Sequence, residues 1–448
     1  MAFLQSSLDK LTAECNSLDV HIQKHEHALS PLRRMPTEIL SLIFTFTMPP
    51  HHPCAESGPW LVSAVCARWR TITLSQPLLW TVIDNSERRT SSFKLKIQLD
   101  RSRDLPLNVT FICEDVEICT KHEVEMLDIL AQHSVRWETV TLSGPEAFYS
   151  GIRNQIQRQF PILLKLDISM FRRKIPASLD IFECAPKLQE VFVNRDYWAH
   201  PVSMTLPSQL SRYGGCNTWN GHLATLSSCS HLVDCTLDMG NDKEFTHTGA
   251  PILLPHLLRL FLSHHGFLTC IETPALVELY CDYDLNSTHH DLPSFFRRLA
   301  CKLETLIMTS GFGDDVSDLP NPDFNRLADI LRAAPSMKCF GFISTPSLPA
   351  ASVGEFLRSA RVAPALESLA LSLGGENVLY DLVEAVETTD WESGRLRSFT
   401  LSSPQCLPSS DTAYRMEALR GRGMDILVVS TYYGLYEKMV PQTLRIER

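Results

Sequence analysis

The sequence has no apolar run approaching the roughly 18 residues that a helix needs to cross a bilayer. Its first residues form neither a basic nor an apolar segment, so we expect no secretory signal peptide. Basic charge is not in surplus, because Lys and Arg number 41 against 51 Asp and Glu, a net charge of −10. This balance argues against a nucleic-acid or membrane partner. We expect a soluble protein of the cytoplasm, the nucleus or both.

Sequence motifs typical of catalytic sites are missing as well. The sequence contains no Gly-x-Ser-x-Gly nucleophile elbow and no Gly-x4-Gly-Lys phosphate loop. Its 14 cysteines are scattered over mostly apolar positions, which is typical of buried thiols in a reducing compartment. The gap between Cys113 and Cys119 fits no common zinc motif. We therefore expect no enzymatic activity, no cofactor and no metal.

An apolar seam is present near the N-terminus. Apolar or small side chains recur there in alternating steps of four and three, the period of a heptad. The pattern predicts one helix over residues 1–30, which either packs on its own protein or pairs with a second copy or a partner. Such a short seam is marginal for a stable dimer by itself. The seam consists of Leu4, Leu8, Leu11, Cys15, Leu18, Ile22, His25 and Leu29.

The next segment, residues 31–84, predicts three short helices. Pro31 ends the preceding helix, and Pro36 suits the first turn of the next one. Apolar side chains then follow in three successive pieces, the second of them running from Trp60 to Trp69 as one helix. So small a unit cannot bury this much apolar surface internally. Surplus apolar surface beside a minimal core usually marks a partner site.

This segment resembles an F-box, most closely the F-boxes of fungal proteins that carry a heptad helix just before the box. The resemblance rests on Leu32-x-x-Met35-Pro36-x-Glu38-Ile39-Leu40-x-x-Ile43-Phe44, Val65-Cys66-x-x-Trp69 and Pro77-x-Leu79-Trp80. Met35 stands where the family usually has Leu, a substitution that conserves volume. In the family, the motif docks on the Skp-type adaptor of a cullin–RING ubiquitin ligase. The adaptor-binding residues that the resemblance implies are Leu32, Met35, Pro36, Ile39, Leu40, Ile43, Phe44, Val65, Cys66 and Trp69.

A short pattern, apolar-x-x-apolar-x-apolar, recurs about every 26 residues between residues 137 and 401, within the range of leucine-rich repeats. Each copy predicts a strand. Helix-like stretches between copies cover residues 123–133, 324–334, 353–361 and 379–387, and residues 411–429 add a last helix and strand. The copies begin at Trp137, Leu163, Leu188, Leu210, Leu232, Leu257, Leu276, Leu303, Met337, Leu366 and Leu396, and the copy at Leu210 is broken by Gly215.

The predicted fold class is α/β, with a helix over 1–30, a three-helix F-box over 31–84 and a solenoid of strands and helices over 85–448. The solenoid resembles the degenerate leucine-rich repeats that follow F-boxes. The asparagine expected eight residues after each anchor is absent, so the solenoid should be irregular. An α/β domain of another topology is the alternative.

Residues between the core positions of each strand should face outward, because side chains alternate across a strand. We predict that Phe192, Arg259, Phe261 and Tyr280 form part of a target-binding surface, since Tyr and Arg are common binding anchors. Acidic neighbours favour a basic target. Coverage of Phe192 and Phe261 by loops is the open alternative.

The F-box resemblance implies a function. A protein of this kind is a substrate-recognition subunit of an SCF-type ubiquitin ligase, which joins a Skp-type adaptor and a cullin scaffold to a protein target. The identity of that target does not follow from the residues. The other hypothesis is an F-box scaffold that binds the adaptor or a partner without a ligase role.

Overall fold

The computed structural model describes residues 2–29, 31–47, 58–85, 91–113, 119–145, 148–149, 159–171, 177–178, 182–195, 202–203, 206–239, 249–282, 292–299, 302–310, 324–344, 365–372, 380, 383–384, 387, 396–402, 410–429, 435 and 438–441. The chain divides into two compact units. The first comprises Met1–Ile112 and Glu125–Ile129, and the second comprises Cys113–Val124 and Leu130–Arg448. The domain limits expected at residues 30 and 84 stay predictions.

The first unit begins with one long helix and four shorter ones. Pro59 opens one of them, where its missing N–H leaves no helical hydrogen bond unmade. The long N-terminal helix confirms the helix predicted from the heptad seam. The helices are α1 (Ala2–Leu29), α2 (Pro31–Arg34), α3 (Thr37–Thr47), α4 (Pro59–Val65) and α5 (Ala67–Leu74), followed by a 3-10 turn at Pro77–Trp80.

The prediction of a single helix from Trp60 to Trp69 is wrong, because the helix is interrupted at Cys66. Cys66 is extended, with φ −159° and ψ 169°. Its sulfur accepts a hydrogen bond from the Trp69 N–H at 3.5 Å, so the cysteine takes the N-cap position of α5. Two helices therefore replace one at this place.

A small core holds these helices together. Its buried members are Leu40, Phe44, Ile72, Leu79 and Trp80. The Trp80 indole N–H donates to the Thr73 carbonyl oxygen at 2.9 Å, which satisfies the polar atom of a fully buried ring. The same unit also holds strands β1 (Val82–Asp84) and β2 (Leu107–Ile112), which pair in parallel, and helix α6 (Ser92–Arg101) between them in sequence.

The second unit contains a parallel sheet whose strands follow one another in chain order. Two short parallel pairs lie apart from it, β5 (Ala177–Ser178) with β7 (Val202–Ser203) and β10 (Ile252–Leu253) with β12 (Ile271–Glu272). The main strands are β3 (Trp137–Pro145), β4 (Lys165–Phe171), β6 (Glu190–Arg195), β8 (Arg212–Cys216), β9 (Asp234–Asp238), β11 (Arg259–Leu262), β13 (Glu278–Asp282), β14 (Thr305–Ser310), β15 (Cys339–Ser344), β16 (Ser368–Ser372), β17 (Ser398–Ser402) and β18 (Asp425–Val429).

The register of this sheet follows the sequence repeat. The middle apolar residue of each copy faces that of the next, from Val140 opposite Leu166 through to Leu369 opposite Phe399. The first apolar positions are buried from Trp137 to Leu366. The predicted strands are thus confirmed, and the mixed α/β architecture is consistent with a leucine-rich-repeat-like solenoid.

Helices connect strands along the chain. The helices predicted at residues 123–133, 324–334 and 411–421 are confirmed within a few residues. The stretch 353–361 lies outside the described residues, and most of 379–387 does too. The observed helices are α7 (Lys121–Ala131), α8 (Trp219–Ser228), α9 (Leu292–Leu299), α10 (Phe324–Ala333) and α11 (Ser410–Gly421), with 3-10 turns at Ser134–Arg136 and His265–Thr269.

The broken copy at Leu210 has a backbone explanation. Gly215 adopts φ +130°, which side chains rarely allow, and a Cβ placed there would collide with the Val193 carbonyl oxygen of the neighbouring strand. Strand β8 therefore keeps the common register only because its last core position is glycine.

Candidate interaction surfaces

An exposed group of apolar side chains marks the helical part of the first unit. Between 36 % and 79 % of each of these side chains is accessible to solvent. Four of them lie at helical spacing on α3, which places them along one side of that helix. We call this group the helical apolar surface, and its members are Leu32, Ile39, Leu42, Ile43, Phe46, Leu61 and Val65.

The ten predicted adaptor-binding residues differ in how much of each is accessible to solvent. Leu32, Pro36, Ile39, Ile43, Val65 and Cys66 are exposed, and Met35 and Trp69 are half-buried. Direct contact of the adaptor with Leu40 and Phe44 is not compatible with the structure, because they are 0 % and 2 % exposed. These two residues, four positions apart on α3, point into the core of the unit, where the Phe44 and Trp69 ring centroids are 4.8 Å apart.

Arg68 fixes the position of α2. Sequence reasoning missed this role of Arg68. Its guanidinium donates hydrogen bonds to the carbonyl oxygens of Arg33, at 2.7 Å, and Met35. The unsatisfied carbonyls at the end of α2 thereby gain a charged partner from α5. Leu32 is held beside the helical core by this contact.

Sequence reasoning also missed Leu42, Phe46 and Leu61. Phe46, at 79 %, is the most exposed large apolar residue in the part of the chain that the structure describes. The available signal was that the apolar side of α3 is broader than a single packed face requires.

The seam of α1 is exposed wherever its side chains are described. Leu8, Leu11, Leu18 and Ile22 are 54–62 % accessible. The interpretation that this helix packs on its own protein is therefore wrong for residues 5–22, and pairing with another chain stays a prediction.

The sheet of the second unit has a second face, formed by residues between the core positions. Nearest the strand starts, alternating charges lie side by side on six neighbouring strands. Arg212 contacts Glu190 at 3.3 Å and Asp234 at 2.8 Å, and Arg259 contacts Asp234 at 2.5 Å. We call these residues the charged row: Lys165, Glu190, Arg212, Asp234, Arg259 and Glu278.

The charged row weakens the argument for a basic target. The Asp234 side chain is 5 % exposed and already bound by two arginines. The hydrogen bond to Asp234 raises the pKa of Arg259. These acidic groups neutralise their own neighbours and stabilise the sheet across strands.

Two predicted target residues are buried, which corrects the expectation that they are exposed. Phe261 and Tyr280 are 1 % and 4 % accessible. They belong to a cluster with Ile307, Ile343 and Ala370 that is covered by Leu435 and Val440. The C-terminal residues thus cover the apolar part of the second sheet face. Burial raises the pKa of Tyr280, whose hydroxyl donates to Glu278 at 2.8 Å.

Phe192 and Arg259 remain partly accessible. The ring of Phe192 lies over Gly214, where a Cβ would approach it to 2.8 Å, and the Lys165 ammonium is 5.7 Å from the ring centroid. Both residues therefore contact the sheet itself. Their role in target binding stays a prediction.

Cysteine burial agrees with the sequence only in part. Cys235 and Cys281 are fully buried, and burial raises the pKa of both thiols. Cys66 and Cys184 are exposed, contrary to expectation.

None of the helices in the described ranges combines the length and apolar character that crossing a membrane requires.

No protein-family model and no curated protein matches the chain. A chain of the crystal structure of a TLR13–ssRNA13 complex is similar with a TM-score of 0.35 and 12 % identity, over 67 % of this chain and 49 % of that one. The chain thus spans about half the length of that protein. A chain of the crystal structure of the Rad7 and Elc1 complex in yeast is similar with a TM-score of 0.32 and 13 % identity, over 95 % and 96 %. At these TM-scores neither likeness carries a functional argument.

Proposed function

We propose that this chain is the target-recognition subunit of an SCF-type ubiquitin ligase. Its first unit docks on a Skp-type adaptor, through which a cullin is recruited, and its solenoid binds a protein target. The observation that supports the proposal most directly is the helical apolar surface, which includes four positions where the F-box resemblance implies adaptor contacts: Leu32, Ile39, Ile43 and Val65.

The energetics of such docking are favourable. Burying one large apolar side chain contributes roughly 1.5–3 kcal/mol. Several such side chains from a surface already held by a packed core can supply micromolar or tighter affinity. The core residues Leu40 and Phe44 act indirectly here, because they hold α3 in place.

The test is reconstitution of the full chain with a Skp-type adaptor and a cullin. The variant Ile39→Asp with Val65→Asp places charges on exposed positions and leaves the core intact. We expect adaptor binding to weaken more than 100-fold while circular dichroism is unchanged. The matched control is Leu253→Asp with Leu258→Asp, two exposed leucines of the second unit, which should bind the adaptor normally.

Two results would count against the proposal. One is an adaptor affinity of the Ile39/Val65 variant equal to that of the wild type. The other is a well-folded wild-type chain that does not bind the adaptor. A complex that contains the adaptor but never cullin would instead support the alternative, a scaffold without a ligase role.

A further inference from the structure

The structure brings together Cys113 and Cys119, two cysteines whose spacing in the sequence fits no common zinc motif. Cys113 directly follows strand β2, and Cys119 directly precedes Thr120, the N-cap of α7. Their sulfur atoms are 3.4 Å apart and share a hydrogen bond. A disulfide needs a sulfur–sulfur distance of about 2.05 Å, so an approach of roughly 1.4 Å would join them.

The two thiols differ in their surroundings. Cys113 is 1 % exposed, and its N–H donates to the Ser143 carbonyl oxygen at 2.7 Å. Cys119 is only half-buried and therefore reaches solvent. It also lies beside the N-terminus of an 11-residue helix, where the helix dipole favours a negative charge.

Hydrogen bonding shifts the pKa values of the two thiols in opposite directions. The hydrogen bond between the two sulfurs lowers the pKa of Cys119 and raises that of Cys113. The more acidic sulfur is thus also the one that solvent can reach, and the buried sulfur lies 3.4 Å from it as a second thiol. This is the arrangement of an attacking and a resolving cysteine.

A metal ion is the competing explanation. The Glu123 carboxylate lies near both sulfurs, and the three ligand atoms fall within 4.8 Å of one another. However, Oε2 of Glu123 already accepts hydrogen bonds at 2.7 Å from the N–H and the hydroxyl of Thr120, as part of a capping box. A structural zinc site normally has four ligands. The geometry therefore favours chemistry between the two thiols.

We propose that Cys113 and Cys119 form an oxidation site that hydrogen peroxide converts into a disulfide. The Cys119 thiolate attacks one peroxide oxygen, the O–O bond breaks, and the hydroxide that leaves takes the Cys113 proton to become water. Cys119 is then a sulfenic acid. The Cys113 thiolate attacks its sulfur, the S–O bond breaks, and the hydroxide that leaves takes up from solvent the proton that Cys119 released on forming its thiolate. Overall, two thiols and one peroxide give one disulfide and two waters.

The bond would tie the residue after β2 to the residue before the N-cap of α7. Disulfides that form in reducing compartments are usually transient and redox-sensing, and this one would be reversed by thiol exchange. The site does not depend on the proposed ligase role.

The test treats the full chain with hydrogen peroxide in the presence of a metal chelator, followed by peptide mass spectrometry without reduction. We expect a linked Cys113–Cys119 peptide lighter by two hydrogen atoms, formed several times faster than oxidation of the exposed Cys184. In Cys113→Ala, Cys119 lacks its resolving thiol and should accumulate sulfenic acid, which dimedone traps. In Cys119→Ser, Cys113 should stay reduced.

The proposal is overturned by either of two outcomes. In the first, Cys119 oxidises no faster than Cys184 and proceeds to sulfinic acid without a linked peptide. In the second, protein purified without chelator holds one zinc per chain that both cysteine variants lose, which would identify a metal site. Circular dichroism of each variant establishes that it is folded.

Discussion

Arg259 of β11 holds Asp234 of β9 by two hydrogen bonds, Nε to Oδ1 at 2.5 Å and Nη2 to Oδ2 at 2.7 Å. Arg212 of β8 approaches the same carboxylate from the opposite neighbouring strand at 2.8 Å. One nearly buried acid thus separates two cations that would otherwise repel each other. Asp234 is therefore the central member of the charged row.

Replacing Asp234 by Asn should destabilise the solenoid. Hydrogen bonds to charged groups contribute about 1.5–3 kcal/mol, and partial exposure of the arginines reduces this, so we expect a loss of about 1–3 kcal/mol. Urea unfolding measures it. The control is Glu304→Gln, which removes an ion pair with Lys338 whose two side chains are 42 % and 48 % exposed. That control should cost less than about 1 kcal/mol. Equal effects of the two variants would show that the charged row adds no stability.

The alignment of the charged row could be predicted from the sequence. The burial of the neighbouring apolar residues could not. Each of its members stands two residues after the first apolar position of a repeat, so one period aligns all of them. Coverage of Phe261 and Tyr280 depends on Leu435 and Val440, more than 150 residues further along the chain. No local pattern connects such distant segments. In α3, buried and exposed apolar residues adjoin one another on one broad apolar side, so periodicity could not separate the buried Leu40 from the exposed Ile39.

Gly215→Ala should disrupt the sheet. The backbone at φ +130° costs of order 1–3 kcal/mol for a residue with a side chain, and the collision with the Val193 carbonyl adds to this. We expect a loss of more than about 3 kcal/mol, or insoluble protein. Gly421→Ala is the matched control, because nothing lies within 4 Å of its added Cβ and it ends a helix. That control should be neutral or slightly stabilising in thermal unfolding. A Gly215→Ala protein as stable as the control would contradict the assigned backbone.

Leu435→Ala should loosen the C-terminal cover of the sheet. Leu435 is fully buried against the cluster that contains Phe261 and Tyr280. Truncation of a buried leucine costs about 2–5 kcal/mol. Hydrogen exchange should rise in β11 and β13, the strands that carry those two residues. Leu258→Ala, at a position 41 % exposed, is the control and should leave exchange unchanged. Unchanged exchange in Leu435→Ala would mean that the cover adds nothing to the sheet.

Alkylation of Cys119 should extend to lower pH than that of an ordinary cysteine. Its pKa is lowered by the hydrogen bond with Cys113, so more thiolate is present at a given pH. Iodoacetamide labelling measured against pH reports this directly. In Cys113→Ala the hydrogen-bond partner is gone, and the labelling curve of Cys119 should move to higher pH. Identical curves in the two proteins would show that the sulfur–sulfur hydrogen bond has no effect on acidity.

The exposed seam of α1 predicts that the protein pairs through this helix. Leu11 and Leu18 stand seven residues apart on the seam and are 60 % and 62 % exposed. Each buried leucine contributes roughly 1.5–3 kcal/mol, so removing two per helix should weaken pairing at least 100-fold. We expect a dimer for the wild type at tens of micromolar in light scattering and a monomer for Leu11→Asp with Leu18→Asp. The control, Ser17→Asp with Val20→Asp, adds the same charges on the outer side of the helix and should remain a dimer. A wild-type monomer would rule out self-pairing and leave the seam to a different partner chain.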